Sequence, residues 1–396
     1  MPSSIALGFS QAEDPQEAAY QASLAVKNQL NSPSFDLVIL FTSIHYAKEE
    51  ILDVIQATLN PAHLVGSSSS GIILSNAIYN RGLAILAINS DDISFGTGAA
   101  LYSPESDFRN VGFELARNIA SEYKSPFLKQ AAVLFCDGLF QFNNQFMLGL
   151  RESLGHSFPI TGAFSCDNFK LQETYQFHQK KTFSNAIVGF LIGSDNLVAI
   201  SNKHGFKPLG KPRTITSVTG HIIRTIDHKP AVYIYEEYLK GESKSLKKGF
   251  FNSPSTHYPL GIYMEAHRQY LLRYPVDILS DGSIVCQADI PPDSEVHLTI
   301  SNKDSCKNAA IAAAQEVKNA LGGRQAQLLI VFESMVRHKM LGHHSFAEIQ
   351  AIKELLGYST PMIGMYSFGE LCPLGLKNIH SETYVQNGSL LLLAIS

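Results

Sequence analysis

Small polar side chains recur in three short loops of this 396-residue chain. Each loop begins with glycine and carries a serine three residues later: Gly66–Gly71 (GSSSSG), Gly162–Asp167 (GAFSCD) and Gly364–Gly369 (GMYSFG). The backbone N–H groups and hydroxyls of such a loop can together hold a carboxylate or a phosphate. Glycine also permits a tight turn without any ligand, which is the alternative. The recurrence of Ser69, Ser165 and Ser367 indicates duplicated units more strongly than it indicates binding.

The third loop is accompanied by charged and aromatic residues that could bind an amino acid. Tyr366, Ser367 and Glu370 lie in the loop or follow it directly, and Arg337 stands near the end of an earlier predicted strand. An arginine can hold a carboxylate through two parallel hydrogen bonds, and a glutamate can accept an ammonium group. These residue types predict a small polar ligand such as an amino acid. A solvated Arg–Glu surface pair is the alternative.

Polar residues also stand at equivalent ends of three predicted strands. The segments FTS, FCD and FES place Ser43, Asp137 and Ser334 at these carboxyl ends. Ligands of α/β sheets bind beyond such ends, whereas capping of the next helix is the alternative for the same residues. The candidate ligand-binding residues are Ser69, Gly71, Asp137, Ser165, Asp167, Ser334, Arg337, Tyr366, Ser367, Gly369 and Glu370.

The sequence carries no complete catalytic, nucleotide-binding or metal-binding motif. GSSSSG lacks the Lys-Ser/Thr pair of a P-loop, and none of the serine loops has the GxSxG spacing of a nucleophile elbow. His338, His343 and His344 lie close together without an HExxH pattern. We therefore predict no catalytic residue, no metal, no cofactor and no enzymatic activity. A hydrolase built on Cys136 or Cys166 stays open as an alternative, because catalytic triads assemble in space.

Buried strands and amphipathic helices surround each loop in the same order. Almost wholly apolar runs precede and follow the loops, such as Leu37–Phe41 (LVILF) and Leu83–Ile88 (LAILAI) around the first. Such runs are typical of strands buried on both faces. Helical spacing of apolar residues predicts three upstream helices, Pro15–Leu30, Asp107–Tyr123 and Asp304–Leu321. We therefore predict an α/β fold with mixed β-sheets flanked by helices, built from three copies of a βαβαββ-like unit.

The copies divide the chain into two predicted domains. The three units occupy residues 5–88, 93–192 and 296–395, and Val296–Ser301 is the first strand of the third. Residues 198–295 match none of the copies and predict an inserted, mostly β section. The N-terminal domain is therefore 1–197, and the C-terminal domain is 198–396.

Composition and charge narrow the class of protein. With 45% hydrophobic residues, the chain can bury two cores. A net charge of −4 and a pI of about 6.4 argue against binding to nucleic acid. No apolar run approaches the ~20 residues of a membrane helix, and the N-terminus lacks the basic start of a signal peptide. The five cysteines are scattered without a CxxC pair, as is typical of reduced thiols. We therefore expect a cytoplasmic protein without membrane insertion.

Several stretches give the chain a resemblance to one family. They are FDLVILFTS and AHLVGSSSSGII, then HGFKPLGKPRTIT, GHIIRTIDHKPAVYIYEEYL and YPLGI, and finally LLIVFESMVRH and PMIGMYSFGELCP. Their order over about residues 35–372 resembles that of FIST proteins (F-box and intracellular signal transduction), with both the N-terminal and the C-terminal FIST domain. One departure is Phe332–Arg337 (FESMVR), where the family commonly has FxCxxR and this chain has serine instead of cysteine.

The resemblance implies a sensory role, in which FIST domains bind small ligands such as amino acids. FIST domains usually accompany kinase, cyclase, chemotaxis or F-box modules, and the matching stretches leave no room for one. A separate signalling protein is therefore the implied partner. We expect an intracellular sensor of a small polar ligand. Besides the hydrolase, a protein–protein interaction scaffold without a ligand is the alternative.

Overall fold

A computed structural model of the protein describes residues 3–140, 144–168, 170–238, 257–374 and 382–396. Over these residues it contains three six-stranded sheets, one eight-stranded sheet and the helices that cover them. Parallel and antiparallel pairs occur within the same six-stranded sheet. The predicted α/β fold with mixed sheets flanked by helices is confirmed. No helix in this described part is long and apolar enough to cross a membrane.

The first two units have the same order of elements. The first contains β1 (Ser4–Ser10), α1 (Pro15–Gln29), β2 (Phe35–Ser43), α2 (Glu50–Leu59), β3 (Pro61–Ser69), β4 (Ile72–Leu74), β5 (Ile78–Tyr79) and β6 (Leu83–Asn89). The second contains β7 (Ile93–Leu101), α3 (Phe108–Glu122), β8 (Lys129–Cys136), α4 (Asn144–Leu154), β9 (Ile160–Phe164), β10 (Gln176–His178), β11 (Lys181–Phe183) and β12 (Ala186–Ser194).

The inserted section interrupts the third unit after its first strand, β13 (Val198–Lys203). The insertion contains β14 (Lys207–Thr219), β15 (Ile222–Ile226), β16 (Lys229–Pro230), α5 (Tyr233–Tyr238), β17 (Leu260–Met264), β18 (Gln269–Arg273), β19 (Pro275–Ile278), β20 (Ile284–Cys286) and β21 (Glu295–Ile300). The unit then continues with α6 (Lys303–Ala320), β22 (Leu328–Ser334), α7 (Met335–Leu341), α8 (Phe346–Leu356), β23 (Met362–Ser367), β24 (Glu370–Pro373), β25 (Thr383–Gln386) and β26 (Leu390–Ile395).

The prediction that Val296–Ser301 starts the third unit is wrong. This segment forms β21, which pairs with β14 and β17 in the eight-stranded sheet of the insertion. The first strand of the unit is β13, which pairs with β26 as β1 pairs with β6 and β7 pairs with β12. Val296–Ser301 leads directly into a helix, as the first strands of the other two units do, whereas β13 leads into β14. Only the pairing partners show which strand belongs to the unit. The insertion therefore lies between β13 and α6.

Side-chain caps fix where the long helices begin. Asp14 accepts a hydrogen bond from the Glu17 N–H (2.8 Å) before α1, and Asp107 caps α3 in the same manner. Asn302 accepts from the Ser305 N–H (2.8 Å) and so starts α6. These caps place the three helices close to their predicted bounds and orient their apolar faces toward the sheets.

Each unit completes the sheet of another unit. One unit supplies the centre of each six-stranded sheet, with a parallel pair such as β2 and β3 and antiparallel neighbours. The hairpin at one end comes from a different unit. Hairpin β10–β11 of the second unit extends β3, β24–β25 of the third extends β9, and β4–β5 of the first extends β23. The exchange closes into a ring of three units.

Three equivalent phenylalanines meet where the inner faces of these sheets converge. Phe41, Phe135 and Phe332 occupy the same position in β2, β8 and β22, and all three are fully buried. Their ring centroids lie 5.5 to 6.2 Å apart in edge-to-face contacts, the favoured geometry for aromatic pairs. One apolar core is thus shared by all three units, while helices cover the outer faces.

The first glycine of each recurrent loop has a structural cause. A Cβ at Gly66 or Gly162 would lie 2.0 Å from the carbonyl oxygen of the neighbouring parallel strand, and at Gly364 the distance would be 2.4 Å. No side chain can occupy these positions unless the strands move apart. The recurrence of glycine therefore reflects close strand packing in three equivalent sheets.

Candidate ligand-binding site

The glycine-serine loops of the three units contact one another at the carboxyl ends of β3, β9 and β23. The Ser69 hydroxyl joins the first loop to the third, because it lies 3.0 Å from the Tyr366 carbonyl and accepts from the Tyr366 N–H at 3.1 Å. Ser165 joins the second loop to the first through a hydrogen bond of 2.6 Å with the hydroxyl of Ser67. These serines therefore fasten units to one another.

The remaining loop residues complete this junction. The Gly369 carbonyl accepts from the Phe164 N–H (2.9 Å), and the Gly71 carbonyl accepts from the backbone of the third loop (3.1 Å). The Ser367 hydroxyl donates to Glu370 Oε1 (2.7 Å). Gly71, Ser367 and Gly369 are buried. Because the contacts of these loop residues are internal, their role in ligand binding stays a prediction.

The two aspartates of the predicted set anchor loops. Asp137 accepts hydrogen bonds from the hydroxyls of Tyr102 and Thr174, each at 2.6 Å. Asp167 accepts from three successive backbone N–H groups in the turn that follows it, at 2.7 to 3.2 Å. Both carboxylates are buried. This geometry satisfies them without a ligand.

The two serines at the strand ends do not cap helices. The Ser43 hydroxyl accepts from the Gly82 N–H (3.0 Å) and makes no capping contact. Ser334 also makes no capping hydrogen bond to α7, and its buried hydroxyl is paired with no described residue. The capping alternative is wrong for both residues. Ser334 is left with an unused donor beside the charged cluster described next.

Arg337 lies at the centre of a buried cluster between β22 and the outer helices. Its guanidinium pairs with Glu348, and its Nε lies 3.7 Å from Glu333. Nη1 donates to the His204 carbonyl (2.7 Å), and Nη2 donates to the Cys306 carbonyl (3.1 Å). We call Glu333, Arg337 and Glu348 the buried triad. The terminal nitrogens of Arg337 bind groups of the protein, whereas Nε has no hydrogen-bond partner among the described residues. Its predicted capture of a ligand carboxylate stays untested.

The buried triad contains two acids for one base. Burial and the adjacent Glu348 raise the pKa of Glu333 well above its usual range. Burial alone would lower the pKa of Arg337, but Glu348 and the other neighbours raise it. Arg337 therefore stays charged, and Glu333 favours its protonated form. Two ionised glutamates would leave the triad with one net negative charge, and the proton on Glu333 removes it.

Glu370 is a further buried carboxyl beside this triad. It accepts hydrogen bonds from Ser367 (2.7 Å) and Ser389 (2.5 Å), yet burial raises its pKa to about 8. On the neighbouring strand β25, Gln386 is its register partner. Directly opposed residues of an antiparallel pair project to the same face of the sheet, so Glu370 and Gln386 are neighbours.

A cavity of about 450 Å³ opens beside Gln386, at the first turns of α6. We call it the α6 pocket. Its wall combines the end of β13, the start of β14, the β17–β18 hairpin, α6 and β25, so the third unit and the insertion both contribute. The polar residues of the wall include these six: Lys203, His204, Lys207, Arg268, Asn308 and Gln386.

Gln386 is the most deeply buried polar side chain of these six. Its exposed fraction is 2%, and its Nε2 is hydrogen-bonded to no residue in the described ranges. The large majority of buried side-chain polar atoms in proteins have a partner. Gln386 thus contributes to the pocket wall a residue whose buried amide donor has no acceptor among the described residues.

His204 connects the α6 pocket to the buried triad. Its Nδ1 accepts from the Phe206 N–H (2.9 Å), while its carbonyl accepts from Arg337. Burial and the charge of Arg337 lower the pKa of His204 to about 4, so the ring is neutral near pH 7. Arg337 thus holds the wall residue His204 in place without lining the pocket itself.

The cysteines bear on the hydrolase alternative, and the clusters of His, Cys, Asp and Glu bear on metal binding. All five cysteines are buried thiols, and burial raises the pKa of the Cys136 thiol. Cys166 accepts a hydrogen bond from Ser70 (2.7 Å) within the loop junction. A hydrolase needs an accessible thiolate, which burial disfavours at Cys136. Among the described residues, no group of three or more His, Cys, Asp or Glu side chains could hold a metal ion.

Two domain families together match most of the sequence. The FIST N domain matches residues 36–229, and the FIST C domain matches residues 231–373. The chain belongs to the FIST family. FIST domains are signalling sensor domains, so the resemblance seen in the sequence and its coarse functional meaning are confirmed.

Two relatives match this FIST protein over nearly its whole length. Two uncharacterized proteins of Mycobacterium tuberculosis, from the CDC 1551 and H37Rv strains, are each 20% identical to it over 401 residues. Each alignment covers 96% of this chain and 97% of the relative.

Two solved structures of cyanuric acid hydrolase also resemble the FIST chain. One, from A. caulinodans, covers 99% of both chains with a TM-score of 0.41 and 7% identity. The other covers 52% of this chain and 72% of its own with a TM-score of 0.32 and 8% identity. Both matched proteins are enzymes by name. The prediction of no enzymatic activity is therefore wrong, and we withdraw it. At these scores the resemblance carries no argument about a reaction or a catalytic residue.

Sequence reasoning missed the α6 pocket. Its wall residues come from four separate stretches of the chain, and none of them lies in a recurrent motif. The one available signal was HGFKPLGKPRTIT, which carries His204 and Lys207 and which counted only toward the family resemblance. Arg337 and Glu370 were singled out, and the structure places both immediately behind this pocket.

Proposed function

We propose that this FIST protein is a sensor that binds a small polar ligand in the α6 pocket and signals through a separate protein. The buried amide of Gln386 carries the proposal. An unpaired buried donor costs free energy that an acceptor on a ligand would recover. The unpaired Nε2 of Gln386 therefore supports the binding of a ligand in this pocket.

The size and position of the pocket support this proposal. A volume of about 450 Å³ lies within the range of roughly 300–1,000 Å³ that is typical of small-molecule sites. The wall contains elements of both the third unit and the insertion. A ligand that contacts both would favour one arrangement of these elements over others, which a partner protein could recognise.

The residues predicted from the sequence support the pocket from behind. Arg337 holds His204 in place, and Glu370 lies beside Gln386. In this proposal they position the wall and need not touch the ligand. An amino acid stays among the ligands to test, with the separate signalling protein as the receiver.

A blocked pocket tests the proposal. The purified protein is screened by thermal shift against amino acids, nucleotides and small carboxylates, and native mass spectrometry identifies compounds that copurify. A saturating ligand at 100 times its Kd adds about 2.7 kcal/mol to the stability of the protein. Asn308→Trp places a large side chain at the wall and is expected to abolish the shift.

The matched control places the same side chain elsewhere on the same helix. Gln315 is exposed on α6 and outside the pocket wall, so Gln315→Trp is expected to keep the shift. A compound that stabilises both variants equally binds elsewhere and overturns the proposed site. If no compound stabilises the protein and none copurifies, the scaffold alternative replaces the sensor.

A further inference from the structure

The charges around the α6 pocket are unevenly distributed. Three cationic side chains line it, Lys203, Lys207 and Arg268, and the described residues of the wall include no aspartate or glutamate. Lys203 pairs with Glu316 (2.6 Å). Lys207 and Arg268 are exposed and form no ion pair within the described ranges. Two positive charges thus face the mouth of the pocket without a fixed counter-charge.

Two further groups favour negative charge in the same place. The first turns of α6 line the pocket, and the N-terminus of a helix carries a partial positive charge. The Nε2 of Gln386 is a buried donor that no described residue accepts from. These groups lie on α6 and β25, whereas Arg268 lies on the loop before β18, so three different elements converge on the cavity.

We infer that the α6 pocket selects anions, and that its ligand is a small metabolite with a carboxylate or phosphate group and no ammonium group. This inference rests on the proposed function and adds the chemical class of the ligand. The anion would accept from Gln386 in the interior and face Lys207 and Arg268 at the mouth. An ammonium group would meet no carboxylate among the described residues of the wall, so a zwitterionic amino acid is disfavoured relative to the matching acid.

The test compares matched probes by isothermal titration of the full chain. Succinate, L-aspartate and succinamide share one carbon skeleton and differ in charge, while inorganic phosphate tests the other anionic group. We expect succinate or phosphate to bind, aspartate to bind at least about tenfold more weakly than succinate, and succinamide not to bind. Because the mouth is solvated, binding of the anion should weaken as ionic strength rises.

Exposed variants locate the binding without disturbing the fold. Lys207→Ala and Arg268→Ala are each expected to weaken anion binding about tenfold. Lys211→Ala, which removes an exposed lysine from the same strand β14 outside the wall, is the control and should leave the affinity unchanged. Anion binding that is equal in all three variants overturns the inference.

The outcomes separate the two proposals. If succinamide or another neutral compound binds as well as succinate, and Asn308→Trp abolishes that binding, the pocket stands as the site and its selectivity for anions is wrong. If L-aspartate binds more tightly than succinate, the exclusion of an ammonium group is wrong. If no probe of any charge binds, the proposed function fails together with the inference.

Discussion

At the residue scale, the environment of Glu370 sets its charge. Its two hydrogen bonds from serine hydroxyls favour the carboxylate, but burial opposes the charge more strongly and raises the pKa to about 8. Its ordinary value is near 4.5. The native protein therefore holds a proton near neutral pH that the unfolded chain releases.

Glu370→Gln tests this protonation state. Because the native state binds more protons between pH 4.5 and about pH 8, the share of stability due to Glu370 is complete below pH 4.5 and falls as pH rises through 8. The glutamine variant mimics the neutral carboxyl and should lose this dependence. Its free energy of unfolding in urea, relative to the natural protein, should rise from pH 5 to pH 8.5. The exposed substitution Glu236→Gln is the control, and an identical slope for both variants would contradict the assignment.

The buried triad gives a second prediction at this scale. Arg337→Met removes the only cation paired with Glu348 in the described structure, so the carboxylate is left buried without a counter-charge. Loss of one partner of a buried ion pair costs about 3–5 kcal/mol, measured as the free energy of unfolding in urea. Adding Glu348→Gln to this variant should recover part of the loss, because the stranded charge is then removed.

An exposed ion pair supplies the comparison for Arg337. Arg109 pairs with Glu152 at the surface of the α3–α4 pair, where water screens the interaction. Arg109→Ala should therefore change stability far less than Arg337→Met does. If the two variants lose similar stability, or if Glu348→Gln recovers nothing, the cost arises from packing and the triad is not held by charge.

At the scale of elements, the local pattern predicted most of the strands and helices. The apolar runs became central strands, and the capping residues Asp14 and Asp107 fixed helix starts close to the predicted ones. The misassigned strand Val296–Ser301 shows the limit of such a pattern. A short strand before a helix has the same periodicity whether it pairs with β26 or with β14, and pairing partners are not encoded in a local window.

The candidate site was predicted less well than the elements, for a related reason. A recurrent glycine is visible in the sequence, but its cause is the close approach of a neighbouring strand, which only the sheet reveals at Gly66. Gln386 lies in an ordinary strand sequence, and it is notable only because its buried Nε2 has no hydrogen-bond acceptor among the described residues. A site that is recognised by a missing hydrogen-bond partner cannot be predicted from the spacing of residues in the sequence.

At the scale of the whole molecule, the hairpin exchange makes the three units dependent on one another. The second unit's sheet receives β24–β25 from the third unit, and the third unit's sheet receives β4–β5 from the first. The shared core draws one phenylalanine from each unit. A boundary near residue 197 marks the end of the second unit in sequence, but it cuts two of the three exchanges.

A fragment of residues 1–197 tests whether that predicted domain folds alone. Without the third unit it exposes one edge of the second sheet, leaves β4–β5 without its partner strand and uncovers the inner faces around Phe41 and Phe135. Unpaired strand edges and exposed apolar faces favour aggregation over folding. We therefore expect no cooperative urea transition by circular dichroism for the fragment, and recovery of native structure when residues 198–396 are supplied in trans. A fragment that unfolds cooperatively alone would show instead that the exchange is peripheral and that the two domains are independent.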